Sequence, residues 1–195
     1  MNRLKSLSLS IFAASCLAAC ISPVASKFYT LSPVQITQPS TAAEGVAISL
    51  DPITLPELVD RPQMVVRLDP NRVSIDEFAR WAEPLKNQIP RVLAADLAQL
   101  IPGAIISTYP QHADDSAYRV SVDVQTFESS AEATVMLAVL WSVRAPKQGH
   151  GVSGRSVVSR TACGSGYDAI VSAHDMALGS VARDIAAATY SVVHQ

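Results

Sequence analysis

Residues 118–125, which read Tyr-Arg-Val-Ser-Val-Asp-Val-Gln, decide the fold class, because apolar and polar side chains alternate through them without a break. Successive side chains of a β-strand point to opposite faces of a sheet, so this alternation predicts a strand with one buried face. Residues 133–144 are apolar on both faces, which predicts a central strand. After a glycine-containing loop, residues 152–161 predict a further strand. This part of the chain is therefore expected to form a sheet.

Two segments that flank these strands have helical periodicity. Residues 85–101 place apolar side chains three and four positions apart, and Pro102-Gly103 ends the pattern. After a glycine break at 164–166, one apolar stripe runs from Tyr167 to Val192. Both patterns predict long helices, each with one face against the sheet.

The remaining elements are shorter. Strands are predicted at 27–31, 46–50, 64–68 and 104–109, and residues 76–81 predict a short helix, capped by Ser74 and ending near Pro84. Together these elements predict a single α+β domain, in which two main helices pack on one face of a mixed or mostly antiparallel β-sheet.

Composition excludes several classes of protein. Of the 195 residues, 49% are hydrophobic and only 16% charged, which suits a well-filled core and excludes a disordered chain. With 15 Lys and Arg against 17 Asp and Glu, the net charge is −2, so no basic field marks a nucleic-acid-binding protein. Three cysteines are too few for a disulfide scaffold.

The first twenty residues read MNRLKSLSLSIFAASCLAAC and have the pattern of a secretory signal. Arg3 and Lys5 form a positive start, and the uncharged run that follows is shorter than the roughly 20 apolar residues that a membrane-spanning helix needs. Residues 17–20, Leu-Ala-Ala-Cys, match the lipobox of bacterial lipoproteins. We therefore expect a lipoprotein signal peptide at 1–19, acylation of Cys20 and a lipidated tether at 20–26. The alternative is an ordinary signal peptide that happens to contain a cysteine.

Once Cys16 is removed with the signal and Cys20 is acylated, Cys163 is the cysteine that remains. An unpaired cysteine behaves as a small apolar residue, so Cys163 is expected to be buried.

Apparent catalytic and cofactor motifs lack the context that their chemistry needs. Residues 149–154 are a literal G-x-G-x-x-G, but a strand pattern follows them instead of the helix whose N-terminus binds a pyrophosphate. Ser165 lacks the first glycine of a nucleophile elbow, since Cys163 stands there. The four histidines have no metal-ligand spacing, and His174 lies on the apolar helix stripe. No enzyme activity, cofactor or metal is expected.

Three segments together resemble the PqiC/YmbA-like family, the auxiliary lipoprotein components of ABC-type transporters. The lipobox is followed closely by Lys-Phe-Tyr-Thr-Leu at 27–31. Residues 55–65, Leu-Pro-Glu-Leu-Val-Asp-Arg-Pro-Gln-Met-Val, and residues 78–85, Phe-Ala-Arg-Trp-Ala-Glu-Pro-Leu, are similar to the two most recognisable blocks of that family. The resemblance implies that residues 27–195 form one ABC-type transport auxiliary lipoprotein domain.

The resemblance also implies a role in lipid transport across the cell envelope. The chain would be a non-enzymatic docking subunit on the periplasmic face of the outer membrane, with a periplasm-spanning MCE-domain (PqiB-like) protein as its partner. Ile21 supports this location, because an Asp after the acylated cysteine commonly holds such lipoproteins at the inner membrane. A homo-oligomeric ring is compatible with hexameric MCE tubes. The alternative function is a periplasmic lipid carrier that holds acyl chains in its own pocket.

The two family blocks also contain the candidate partner-binding residues. Arg61 and Gln63 place a guanidinium and an amide around a proline of fixed φ at a strand entrance. Arg80 and Trp81 are of the residue types that dominate protein interfaces. The structural alternative is that Trp81 packs onto the sheet and Arg80 pairs with a nearby carboxylate.

Overall fold

The computed structural model describes residues 25–36, 45–108, 116–147 and 149–194. The signal peptide, Cys20 and most of the tether lie outside these ranges. The strands are β1 (Lys27–Tyr29), β2 (Ala47–Leu50), β3 (Gln63–Asp69), β4 (Arg72–Trp81), β5 (Ile105–Ser107), β6 (Tyr118–Ser129), β7 (Thr134–Arg144) and β8 (Gly151–Thr161). The helices are α1 (Leu85–Leu100) and α2 (Gly166–Val193).

A five-stranded mixed sheet has the order β5-β2-β6-β7-β8. As the alternation predicts, β6, β7 and β8 pair antiparallel in sequence, while β2 pairs parallel with both β5 and β6. Val120, Val122 and Val124 are buried, and a register shift between Val124 and Thr126 moves the buried set to Phe127 and Ser129. One extra residue in a strand exchanges its two faces, so this bulge keeps both halves of β6 packed on the core.

The helices cover one face of this sheet. Helix α2 packs on β7 and β8, and α1 packs against α2. Leu93, Leu97, Leu178 and Ile185 are fully buried, as their helical spacing predicts. The α+β fold class is therefore confirmed, although the strands divide between two sheets.

The second sheet has three strands in the order β1-β4-β3, and it corrects the predicted helix at residues 76–81. That segment is the end of β4, which pairs parallel with β1 and antiparallel with β3. The Asp76 carboxylate accepts hydrogen bonds from the N–H groups of Phe78 and Ala79 at 2.8 and 3.1 Å. Side-chain acceptors of this kind also occur at helix starts, so the local pattern at 76–81 is compatible with a helix as well. Hydrogen bonding to β1 on one side and β3 on the other makes this segment a strand, and the side chains of Ala79 and Trp81 are buried.

Residues 31–36, called here the strap, cross both helices and connect the two halves of the fold. Backbone N–H groups of Leu31 and Val34 donate to Gln88 and Asp96 of α1, at 2.7 and 3.0 Å. The N–H of Ser32 donates to Asp175 of α2 at 3.0 Å. These hydrogen bonds satisfy backbone N–H groups of a segment that has no regular secondary structure, and they fix the position of β1 relative to the helices.

Cys163 is exposed, so the prediction of burial is wrong. It lies between the end of β8 and the glycines that precede α2, and both Gly164 and Gly166 have positive φ. Such backbone turns run over the surface, and Cys163 has no neighbouring layer to pack against there.

Candidate functional site

A groove of about 590 Å³ opens on the surface where the three-stranded sheet meets the start of α1. We call it the strand-end groove. It is lined by Phe28 of β1, residues 60–62 before β3, residues 80–84 at the end of β4, and Lys86 and Asn87 of α1. Its volume lies within the range of roughly 300–1,000 Å³ that is typical of ligand sites.

Backbone hydrogen bonds hold the walls of the groove together. The N–H of Trp81 donates to the C=O of Pro62 at 2.7 Å, and the N–H of Ala82 donates to the C=O of Tyr29 at 2.8 Å. Pro84 caps the start of α1, and the N–H of Asn87 donates to its C=O at 2.9 Å. The groove is therefore preformed by segments that are distant in sequence.

Two charged pairs lie around the groove. Nζ of Lys86 is 2.7 Å from Oδ2 of Asp60, and Nη2 of Arg91 is 3.1 Å from Oε2 of Glu83. Exposed pairs of this kind contribute about 0–1 kcal/mol to stability, but they decide which charges stay available to a ligand. Arg61 differs from them, because within the described residues its buried Nε has no hydrogen-bond partner. The groove thus contains a guanidinium whose buried Nε has an unused hydrogen-bond donor within the described residues.

Arg80 and Gln63 lie opposite each other on β4 and β3. Oε2 of Glu77 accepts a hydrogen bond from Nε2 of Gln63 at 3.1 Å and lies 3.9 Å from Nη1 of Arg80. Arg80 lines the groove, whereas Gln63 stands beside it on the neighbouring strand. Of the four predicted residues, the structure therefore brings Arg61, Arg80 and Trp81 together in one groove and places Gln63 at its border.

Trp81 is mainly a core residue. Its side chain is 6% exposed, and its ring meets Phe127 edge-on, with the ring centroids 6.1 Å apart. Such aromatic pairs contribute beyond the area that they bury. The structural alternative considered for Trp81 is therefore correct, although the accessible part of the residue faces the groove.

The sequence analysis missed Phe28, Asp60 and Lys86 as groove residues. Phe28 is 66% exposed, which is unusual for an aromatic residue in a short strand. Its strand pattern gave no sign of this exposure, because a three-residue strand is too short for alternation to distinguish its faces. Asp60 and Lys86 become neighbours only through the tertiary structure.

His174 is buried on α2, as its place in the apolar stripe predicts. Its ring stacks on Phe127 with centroids 4.0 Å apart, and its Nε2 lies 2.9 Å from Oγ of Ser129. Burial disfavours the charged imidazolium and lowers the pKa of His174 to about 3. A histidine that stays neutral and out of contact with solvent is a packing residue.

Residues 149–150 lie in a loop and residues 151–154 already belong to β8, so no helix follows the glycines and the dinucleotide-binding interpretation is excluded by the local structure. In the described ranges, no group of three His, Cys, Asp or Glu side chains is placed to hold a metal ion. Among the helices of these ranges, none combines the length and apolar character that crossing a membrane requires.

Two solved structures share this fold. One, described as the crystal structure of an uncharacterized protein, aligns with a TM-score of 0.72 and 18% identity, over 83% of this chain and 97% of the other. The protein XCC0632 from Xanthomonas campestris, described as DUF330, aligns with a TM-score of 0.64 and 18% identity, over 87% of this chain and 98% of its own. Among curated proteins, no sequence matches this chain.

The family assignment comes from sequence. A family model described as "ABC-type transport auxiliary lipoprotein component" matches residues 29–186, which include β2 to β8, the last residue of β1, both helices up to Ala186 and all residues that line the groove except Phe28. The chain therefore belongs to the ABC-type transport auxiliary lipoprotein component family, the PqiC/YmbA-like lipoproteins that the sequence resembles.

Proposed function

We propose that this chain is a periplasmic lipoprotein, acylated at Cys20 and anchored in the outer membrane, that acts as a non-enzymatic docking subunit of an MCE-type lipid transport system. Its partner is a periplasm-spanning, PqiB-like MCE-domain protein, and copies of the chain form a ring around the end of that protein. Membership of a transport auxiliary lipoprotein family supports this role at the level of membrane anchoring and association with a transporter.

The observation that carries the proposal is the composition of the strand-end groove. Trp81, Arg80 and Arg61, which the sequence singled out as candidate interface residues, line one preformed groove. The buried Nε of Arg61 lacks a partner within the described residues, and a carboxylate from a docking protein would satisfy it. Aromatic and Arg side chains at one concave place are typical of interface hot spots.

Co-purification tests the docking role. Detergent-solubilised full-length lipoprotein is expected to capture its MCE-domain partner, and Arg61→Glu is expected to lower the captured amount at least about tenfold, as removal of a partly buried charge pair does. Arg155→Glu is the matched control, since Arg155 is an exposed cation on the other sheet. Equal capture by wild type and Arg61→Glu would remove Arg61 from the interface.

Acylation is tested separately. Cys20→Ser removes the thiol that forms the thioether, so incorporation of labelled palmitate should disappear and the protein should leave the membrane fraction. A matched Cys163→Ser variant should keep both, because Cys163 lies at the other end of the chain. Persistent labelling of Cys20→Ser would contradict the proposed anchor.

The alternative function, a lipid carrier with an internal acyl-chain pocket, needs space between sheet and helices. Leu93, Leu137 and Leu178 are each 0% exposed at that interface, and apolar side chains fill it in the described part of the chain. The packing therefore favours docking. Native mass spectrometry that detects a co-purifying phospholipid in the wild-type protein would reopen the alternative.

A further inference from the structure

Two phenylalanine side chains on adjacent strands of the three-stranded sheet are exposed to solvent. Phe28 is 66% exposed and Phe78 is 49% exposed. Phe28 lies opposite Arg80, so these two side chains share one face of the sheet. Phe78 lies two residues before Arg80, and it is exposed as they are. The inward neighbours on that strand, Ala79 and Trp81, are buried, which agrees with this assignment. We call this surface the aromatic face.

A bulge in β4 presents Phe78 to solvent. Gln63 of β3 pairs with Arg80 but the next residue, Met64, pairs with Asp76, so residues 77–79 have no partners on β3. Asp76 holds this irregular backbone through the N–H groups of Phe78 and Ala79, and it also accepts a hydrogen bond from the Tyr167 hydroxyl at 2.9 Å. A bulge tied to α2 in this way is a defined structural feature, and it fixes an exposed phenylalanine in place.

The charges at the aromatic face are mixed. The Arg80 side chain is 32% exposed, and Glu77 supplies one negative charge. Lys27, exposed at the start of β1, stands at the border of this face, because its side chain leaves the opposite side of the strand from Phe28. Aromatic rings next to Lys and Arg are the composition with which proteins bind the interfacial region of a membrane. Anionic headgroups attract such cations near the membrane surface.

The short tether favours a lipid surface as the binding partner of the aromatic face. From Cys20 to Lys27 the chain advances seven residues, and at about 3.5 Å per residue these reach at most roughly 25 Å. Lys27 begins β1, so the acyl chains at Cys20 would keep the aromatic face within that distance of the headgroups. This step rests on the acylation proposed above.

We infer that the aromatic face binds the surface of the membrane in which the lipoprotein is anchored, with Phe28 and Phe78 in the headgroup region, Arg80 beside lipid phosphates and Lys27 at the border of the contact. The domain is then held in one orientation and does not rotate freely on its tether. Because Phe28 also lines the strand-end groove, a partner that enters the groove arrives directly beside the lipid surface.

Quenching by brominated lipid tests this inference. The acylated full-length protein is reconstituted in vesicles of phosphatidylethanolamine and phosphatidylglycerol that carry bromine on the acyl chains. Phe28→Trp and Phe78→Trp are compared with Val157→Trp, since Val157 is 55% exposed on the other sheet and is a matched control. Wild type, with Trp81 and Trp141, gives the baseline. We expect fractional quenching at 28 and 78 to exceed that at 157 at least about twofold, because interfacial side chains lie about 5–10 Å into the boundary region.

Two quenching results overturn the inference: no quenching above the wild-type baseline at positions 28 and 78, or quenching equal to that at position 157. A blue shift of the Trp emission that needs no lipid and grows with protein concentration also overturns it, because it assigns the face to a second copy of the chain. Vesicle flotation separates these from failure of the proposed anchor, because a protein that does not float was never on the membrane. If Phe78→Trp disturbs the bulge, Phe28→Trp alone still decides, since β1 carries no register shift.

Discussion

The two sheets of this molecule differ in how they use their surfaces. The five-stranded sheet is covered by α2 on one face, and its long strands pair in register apart from one bulge in β6. The three-stranded sheet has two register shifts between β3 and β4, and it presents Phe28 and Phe78 to solvent. The larger sheet therefore supplies the stability of the fold, whereas the smaller one carries the groove and the aromatic face.

The largest expected effect comes from the core of the five-stranded sheet. Leu137→Ala is expected to lower the free energy of unfolding by about 2–5 kcal/mol, because it leaves a cavity beneath α2 at a side chain that is 0% exposed. Urea denaturation followed by circular dichroism measures the change. The matched variant Phe78→Ala should change it by less than about 0.5 kcal/mol, since Phe78 is half exposed. A similar loss of unfolding free energy in both variants would contradict the view that the larger sheet stabilises the fold and the smaller one carries the interaction surfaces.

A smaller loss is expected from the bulge of the three-stranded sheet. Asp76→Ala removes the acceptor for two N–H groups and for Tyr167, and it should cost about 1–2 kcal/mol, as loss of a helix cap does. Hydrogen exchange should quicken at Phe78 and Ala79 and stay unchanged in β7. Unchanged exchange at those two amides would mean that the carboxylate does not hold the bulge.

The same residue has a definite dependence on pH. Hydrogen bonds from the Phe78 backbone and from Tyr167 hold the pKa of Asp76 below its usual value. A carboxyl group whose pKa is lower in the folded state stabilises the fold above the unfolded pKa of about 4, and this contribution is lost as the pH falls through the folded pKa. The stability difference between wild type and Asp76→Ala should therefore shrink in acid.

Asp96 on α1 is predicted to act in the opposite direction. Burial raises the pKa of Asp96 to about 6, and its Oδ2 has no hydrogen-bond partner within the described residues. The folded state then binds the proton more tightly than the unfolded state, so wild-type stability should fall as the pH rises from about 4 to 6 and level off above. Asp96→Asn keeps an acceptor for the Val34 N–H and should be more stable than wild type by about 1 kcal/mol at pH 7.

Unfolding midpoints at pH 5 and pH 8 measure this effect. The decrease between them should be smaller in Asp96→Asn than in wild type, and the part that remains belongs to Asp175, whose pKa burial also raises to about 6. Asp168→Asn is the control, since Asp168 is exposed in the first turn of α2. A decrease that is identical in wild type and Asp96→Asn would contradict a raised pKa of the buried Asp96 carboxyl group beneath the strap.

Local pattern was sufficient for the larger sheet and the helices. The alternation at 118–125, the apolar strand after it and the two stripes that become α1 and α2 all predicted their elements. It was insufficient for residues 76–81, because six residues are too few for periodicity to separate a helix from a strand. It was also insufficient for Cys163, because burial of a single residue depends on its place in the tertiary structure. Pairing with β1 and β3, which are distant in sequence, decided the first case.

By itself, then, the sequence determined the fold class, the family and the residue types of the candidate interface, since periodicity and motif are properties of neighbouring residues. Only the tertiary structure decided that Arg61, Arg80 and Trp81 share a groove, that Trp81 is mostly core, and that Phe28 and Phe78 share an exposed face. These properties depend on which strands lie side by side and on where β4 forms its bulge. Both are set by pairing between strands that are distant in sequence, and the local pattern of one strand does not specify which strand it pairs with.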